Sequence, residues 1–261
     1  METQDPAVAE LISFLDGARR VASVQKQKHI IFELLNLQPD ENVLDAGCGT
    51  GDDIRDIAQL VGQNGWCVGI DQNGALIEVA RKRSEGKNLP VEFHQSSIYE
   101  LNFPDNTFHV TRAERVFEHL YEPERALAEM IRVTRPGGRV LVASPDMDTN
   151  IIDHPDRSVT RRICHFESDR RPNGLAGQKL YGMFHDVGLR DLRVRAIVHI
   201  TTSYEGMLSF LDVRERAEAA RNGGAITASE CASWLAQLER AGRAGHFFMS
   251  TNHYIVCGRK V

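Results

Sequence analysis

Val43-Leu44-Asp45-Ala46-Gly47-Cys48-Gly49-Thr50-Gly51 sets three glycines at alternate positions between an apolar run and a helical pattern. Glycine there lets the backbone take positive φ and leaves room for a ligand to lie against the main chain. A strand, a glycine turn and a helix in that order belong to an open α/β sheet, whose ligand crevice lies at the carboxyl ends of the strands. The spacing is GxGxG. A dinucleotide fingerprint needs its third glycine one position later, where Asp52 stands, and a phosphate loop needs a Gly-Lys-Ser/Thr that is missing. Asp45 and Asp52 bring negative charge to the turn, which disfavours a pyrophosphate and suits a ligand with a cationic portion.

Outward from this turn, helix and strand signals alternate. Before it, Leu11, Phe14, Leu15 and Ala18, then Ile30, Ile31, Leu34 and Leu35, recur at helical spacing until Gln38-Pro39. Asn42 to Ala46, Trp66 to Ile70, Val91 to Gln95, Val110 to Ala113 and Arg139 to Ala143 read as strands. Asp52 to Val61, Ala75 to Ser84 and Glu122 to Val133 read as the helices between them. Such alternation predicts an α/β fold: a doubly wound, Rossmann-like, mostly parallel sheet with helices on both faces. Gly177 to Val187 adds a helix, and Leu192 to Thr202 and Phe247 to Gly258 add strands, making seven. Tyr204 to Ala241 reads as a helical insertion before the last strand, broken at Asn222-Gly223-Gly224.

Bulk properties narrow the class. Of 261 residues, 26% are charged and the formal net charge is -5, so no global positive field favours nucleic acid. Arg161-Arg162 and Arg170-Arg171 are short, interleaved with acids, and read as solvated surface. No run is long enough to span a bilayer, and the first residues lack a secretory pattern. Five scattered cysteines without CxxC fit reduced thiols, so a cytoplasmic setting is expected. No metal-ligand spacing is present.

Further motifs follow in order over about residues 42 to 145. Val68-Gly69-Ile70-Asp71 ends the second strand on an acid. Leu101-Asn102-Phe103-Pro104-Asp105-Asn106-Thr107-Phe108 and Arg135-Pro136-Gly137-Gly138-Arg139 precede the fourth and fifth strands. Together with the glycine turn these resemble the class I S-adenosylmethionine-dependent methyltransferases. The likeness is nearest to small-molecule enzymes related to the ubiquinone/menaquinone-biosynthesis C-methyltransferases. The resemblance implies S-adenosylmethionine as cofactor. It implies that Asp45, Gly47, Cys48, Gly49 and Gly51 flank the methionine part, that Asp71 takes the ribose hydroxyls, and that Gln72 sits beside the adenine. A carboxylate accepts well from two vicinal hydroxyls. Ser97 and Ile98 stand where the family often has an Asp-Ala, so Ser97 would meet the adenine amino group through its hydroxyl. Ala113 and Arg115 would border the methionine end. His109 departs from the family's Asp.

The expected organisation is one domain over 1–261: a helical cap at 1–37, a cofactor-binding core at 42–145 and a helical lid at 204–241. The expected reaction is methyl transfer to a small, partly apolar metabolite by in-line displacement. A protein of the same fold that binds the cofactor without transferring methyl, and a nicotinamide-dependent reductase, are the alternatives. The sequence leaves the catalytic group open. His119 is a candidate base that also reads as a helix-end histidine, and Asp146 is a candidate that also reads as a cap. The acceptor pocket is expected beneath the first helices, the Asp146 to Asn173 segment, and Tyr204, Met207, Phe210 and Leu211 of the lid.

Overall fold

The apolar runs form seven strands, β1 (Asn42–Ala46), β2 (Trp66–Asp71), β3 (Val91–Gln95), β4 (Phe108–Glu114), β5 (Thr134–Ile152), β6 (Arg190–Thr201) and β7 (Met249–Arg259). In this computed structural model, which describes residues 5–208 and 213–261, they make one sheet in the order β3-β2-β1-β4-β5-β7-β6. β1 to β5 pair in parallel, while β7 runs antiparallel to both β5 and β6. The α/β, mostly parallel reading therefore holds.

Alternate residues of the strands go to opposite faces, and each face is covered. Val43, Val110, Leu141 and Ile255 pack under α2 (Ala22–Leu35), α3 (Asp52–Val61) and α4 (Gly74–Ser84), where Leu34, Ile57 and Ile77 meet them. Leu44, Val68, Val142 and Val256 pack on the other side against α5 (Pro123–Val133) and α7 (Ala176–Asp186) through Met130, Leu180 and Phe184. Gly51, at φ 75°, opens α3, and Asp52 and Asp53 occupy its first turn, where the helix dipole favours acids. Asn36 ends α2 in the left-handed conformation, so the helix stops before Pro39.

The fifth strand is longer than Arg139 to Ala143. It begins at Thr134, which pairs with Phe108 before a register shift, so the Pro136-Gly137-Gly138 segment lies within it. It continues to Ile152 because its far end keeps pairing with β7. α1 (Pro6–Arg19) precedes α2 and buries only Ala18.

A second assembly of helices, α6 (Arg157–Asp169), α8 (Tyr204–Leu208), α9 (Val213–Asn222) and α10 (Ala228–Arg243), has its own apolar centre at Val159, Ile163, Val213, Ala217, Trp234 and Phe247. Trp234 is buried and its Nε1 donates to Thr160 Oγ1 at 2.9 Å. Tyr204 belongs to this centre, its ring 5.7 Å from that of Phe247. It is thus a packing residue. Phe210 and Leu211 lie outside the described residues, and so does the side chain of Met207.

Candidate cofactor site

The glycine turn is fixed from beneath. Gly47 and Cys48 both donate backbone N–H groups to the Ile70 carbonyl at 2.8 Å, tying the turn to the end of β2. Gly47 has φ 84° and a Cβ there would strike Val116, while a Cβ on Gly51 would strike the Phe93 ring. Both glycines are therefore required twice, by conformation and by close packing. Asp71 completes the arrangement: Oδ2 accepts from Gly49 N at 3.0 Å and Oδ1 from Asn73 N at 2.9 Å. A carboxylate offers about four lone-pair sites, so each oxygen retains capacity for a ligand hydroxyl.

Above the turn, at the carboxyl ends of β1, β2 and β4, lies a cavity of about 580 Å³. Asp45, Gly47, Cys48, Gly49, Asp71, Gln72, Ser97, Ile98 and Arg115 border it, and His119 does as well. Three other candidates do not. Gly51 is turned into the packing beside Phe93. Ala113 is fully buried in the core on the α5 side. Asp146 is buried away from the cavity, where its Oδ2 accepts from Gln178 N in the first turn of α7 at 2.9 Å. A helix start provides orphan N–H donors, and Asp146 satisfies one of them. Ser97 Oγ accepts from Tyr99 N at 3.2 Å, and His109 has a local task at the other end of the sheet, accepting from Asn42 N through Nδ1 at 2.9 Å.

The roof is α1. Leu11, Phe14, Leu15 and Ala18 turn their apolar face to the cavity. Polar groups hold α1 in place: Asp16 takes both terminal nitrogens of Arg83 at 2.8 Å, and Arg19 pairs with Asp53 and Asp56. Arg115, held at φ 57°, lays its guanidinium over the Phe14 ring at 5.3 Å.

The electrostatic centre was not readable from motifs. Arg112 on β4 is buried and meets Asp45 at 3.4 Å, Asp53 at 3.3 Å, and Glu114. Lys28 of α2 also pairs with Asp53. Burial pushes the Asp45 carboxyl up to about 6, against the pull of Arg112. Burial also opposes the charge of Asp53, yet Arg112, Lys28 and Arg19 together hold its carboxyl below the usual range. Burial, with Asp45 and Asp71 nearby, raises the Cys48 thiol well above its ordinary value, so it stays protonated. The acids that the sequence places at the turn are thus balanced by cations from β4 and the first two helices. Arg112 alternates with core residues in a strand, and that position was the one available clue.

A seven-stranded sheet with its last strand reversed, a glycine turn after β1 and an acid ending β2 define the class I S-adenosylmethionine-dependent methyltransferase architecture. A family model described as a methyltransferase domain matches residues 37–188, and the chain belongs to that family. It is 33% identical over 254 residues to an uncharacterized 37.1 kDa protein in a transposon of Streptomyces fradiae, covering 97% of this chain and 72% of that protein. It is 38% identical over 117 residues to a ubiquinone/menaquinone biosynthesis C-methyltransferase of Ectopseudomonas mendocina (strain ymp). That match takes in 44% of this chain and 46% of the relative, so the chain spans about half of that enzyme. The fold is shared with the YcgJ protein of Bacillus subtilis at a TM-score of 0.62 and 17% identity, covering 90% of this chain and 98% of that one. Among the described residues no helix is long and apolar enough to cross a membrane.

Proposed function

We propose that the protein transfers the methyl group of S-adenosylmethionine to a small, partly apolar acceptor. One observation carries this reading: the cavity that opens on the glycine turn and Asp71 is closed on its other side by the apolar face of α1. Polar groups for a nucleoside and an apolar wall for a second molecule thus share one space.

In this reading Asp71 accepts from the ribose hydroxyls, Gln72, Ser97 and Ile98 border the adenine, and Asp45, Gly47, Cys48 and Gly49 flank the methionine portion. When bound, the sulfonium would supply an already activated methyl, the acceptor's electron pair forming the new bond while the methyl–sulfur pair returns to sulfur. The chain's own work is alignment and exclusion of water. Leu11, Phe14 and Leu15 exclude water, and Arg115 and His119 stand at the wall to meet a polar group of the acceptor. Desolvation, then the charges of Arg171 and Arg115, lowers the His119 proton affinity against the opposing pull of Glu118. His119 is therefore neutral at neutral pH and able to take a proton from a protic acceptor. We read 1–261 as one domain, with 1–37 as cap, 42–145 as cofactor-binding core and the helices of 204–241 as an insertion.

Titration calorimetry with S-adenosylmethionine and S-adenosylhomocysteine tests the cofactor, and micromolar binding is expected. Radiolabelled donor with a panel of small apolar acceptors tests transfer. Binding without label transfer to any acceptor would favour a cofactor-binding protein instead.

A further inference from the structure

A directional chain of hydrogen bonds, centred on the buried Gln27–His199 pair, leads into the cofactor cavity from α2 and the outer sheet. Ser23 Oγ lies 2.8 Å from His199 Nδ1, and His199 Nε2 lies 2.9 Å from Gln27 Oε1. Gln27 Nε2 donates to Glu114 Oε1 at 2.8 Å, and Arg112 holds the other Glu114 oxygen. Gln27 is 1% exposed and His199 6%. Glu114 borders the cavity.

With a neutral imidazole, only one arrangement of protons satisfies every link. Glu114 accepts, so the Gln27 amide must turn its NH2 group toward the carboxylate and its oxygen away. That oxygen needs a donor, which is His199 Nε2–H, and the remaining imidazole nitrogen then accepts from the Ser23 hydroxyl. Each bond polarises the next, and the chain ends on an anion at the cavity wall. A flipped Gln27 amide would set oxygen against oxygen at Glu114. His199 thus fixes the orientation of Gln27, and Gln27 fixes that of Glu114. Each carboxylate oxygen still has a lone pair to offer to the cavity.

Resting on the cofactor reading above, we propose that Gln27 and His199 are positioning residues. They hold Glu114 to receive the α-ammonium group of the cofactor's methionine portion. Both lie outside the 37–188 segment matched to the family. Arg112 engages Asp45, Asp53 and Glu114 alike, and Lys28 and Arg19 also engage Asp53. What sets Glu114 apart is its second oxygen, which a neutral amide holds in place without neutralising the charge.

The test is a cycle between protein and ligand, measured by calorimetry. The ligands are S-adenosylhomocysteine and its desamino analogue, in which hydrogen replaces the ammonium group. Gln27→Met is expected to weaken S-adenosylhomocysteine about tenfold, as befits loss of one oriented charge-assisted bond, and the desamino analogue less than about twofold. His199→Phe should behave like Gln27→Met. His199→Gln keeps an N–H donor and should stay within about threefold of wild type. Equal losses for both ligands, or no loss for either, would overturn the positioning role while leaving the cofactor reading intact. Failure of the wild-type protein to bind S-adenosylhomocysteine would overturn both. Binding of the desamino analogue also shows that each variant is folded.

Discussion

Two buried ion clusters in this molecule are mirror images in charge. At the cavity, one arginine, Arg112, meets three carboxylates, Asp45, Asp53 and Glu114. Between α6 and α9, one carboxylate, Glu167, meets three arginines, Arg170, Arg171 and Arg216. Both central groups are buried. The first cluster opens on a cavity, whereas the second joins two helices of the outer assembly. Burial of charge alone does not mark a functional site. What marks it is capacity left over for a ligand, which the acid-rich cluster offers to a cation.

Breaking each centre should separate the two roles. Arg112→Met leaves carboxylates without their shared counter-ion, and Glu167→Gln leaves Arg216 without its partner. Each should cost about 3–5 kcal/mol of stability, read from urea unfolding. Only Arg112→Met should also weaken S-adenosylhomocysteine in the folded fraction. Equal ligand affinity in the two variants would erase the distinction. Next in size is Asp71→Ala, which should weaken S-adenosylhomocysteine on the order of 100-fold, since bonds to a charged acceptor are worth about 1.5–3 kcal/mol each. Unaltered affinity would remove Asp71 from the ribose.

A smaller effect is expected from pH. Burial, and then the Arg115 charge, pushes His199 down to about 4, and burial with His199 and Arg115 also lowers His253. A free histidine titrates near 6.5, so over this range the unfolded chain binds more protons than the folded one. The resulting stability is present above about pH 6.5 and is lost as pH falls towards 4. The melting temperature should drop over that window, and less so in His199→Gln. Asp45, raised to about 6, acts in the opposite sense, so the difference between the two proteins is the proper reading. The smallest effect concerns the roof. Protease cleavage within Ala7 to Gln27 should slow when S-adenosylmethionine is present, because α1 buries little without a ligand beneath it. Unchanged cleavage would count against α1 as a cofactor-dependent cap.

The mirror pair also shows what a sequence makes legible. The glycine turn, Asp71 and the strand alternation are local patterns, and they led to the correct sheet and to ten of the residues that border the cavity. Arg112 with Asp53, and Gln27 with His199, are separated by 59 and 172 residues, and no local periodicity announces such pairs. Arg170-Arg171 read as solvated surface because the acids beside them suggested exposed pairing. Arg170 is exposed, as that reading has it, yet both arginines also hold Glu167, whose side chain is 1% exposed. In the sequence Asp146 follows the expected end of the fifth strand, where an acid is equally able to face a ligand or hold a helix. Only the position of α7 decides between the two.

The reversed strand β7 lies between β5 and β6, yet it follows both in the chain. During synthesis β6 therefore emerges with no neighbour to pair with, and it carries Val194, Val198 and Ile200, which stay exposed even in the finished fold. Its docking must wait for a later segment to thread between two edges already made. Non-local closure of this kind is slow and leaves a strand open to wrong partners meanwhile. For the nascent chain, the hazardous interval is the one between the emergence of these two strands.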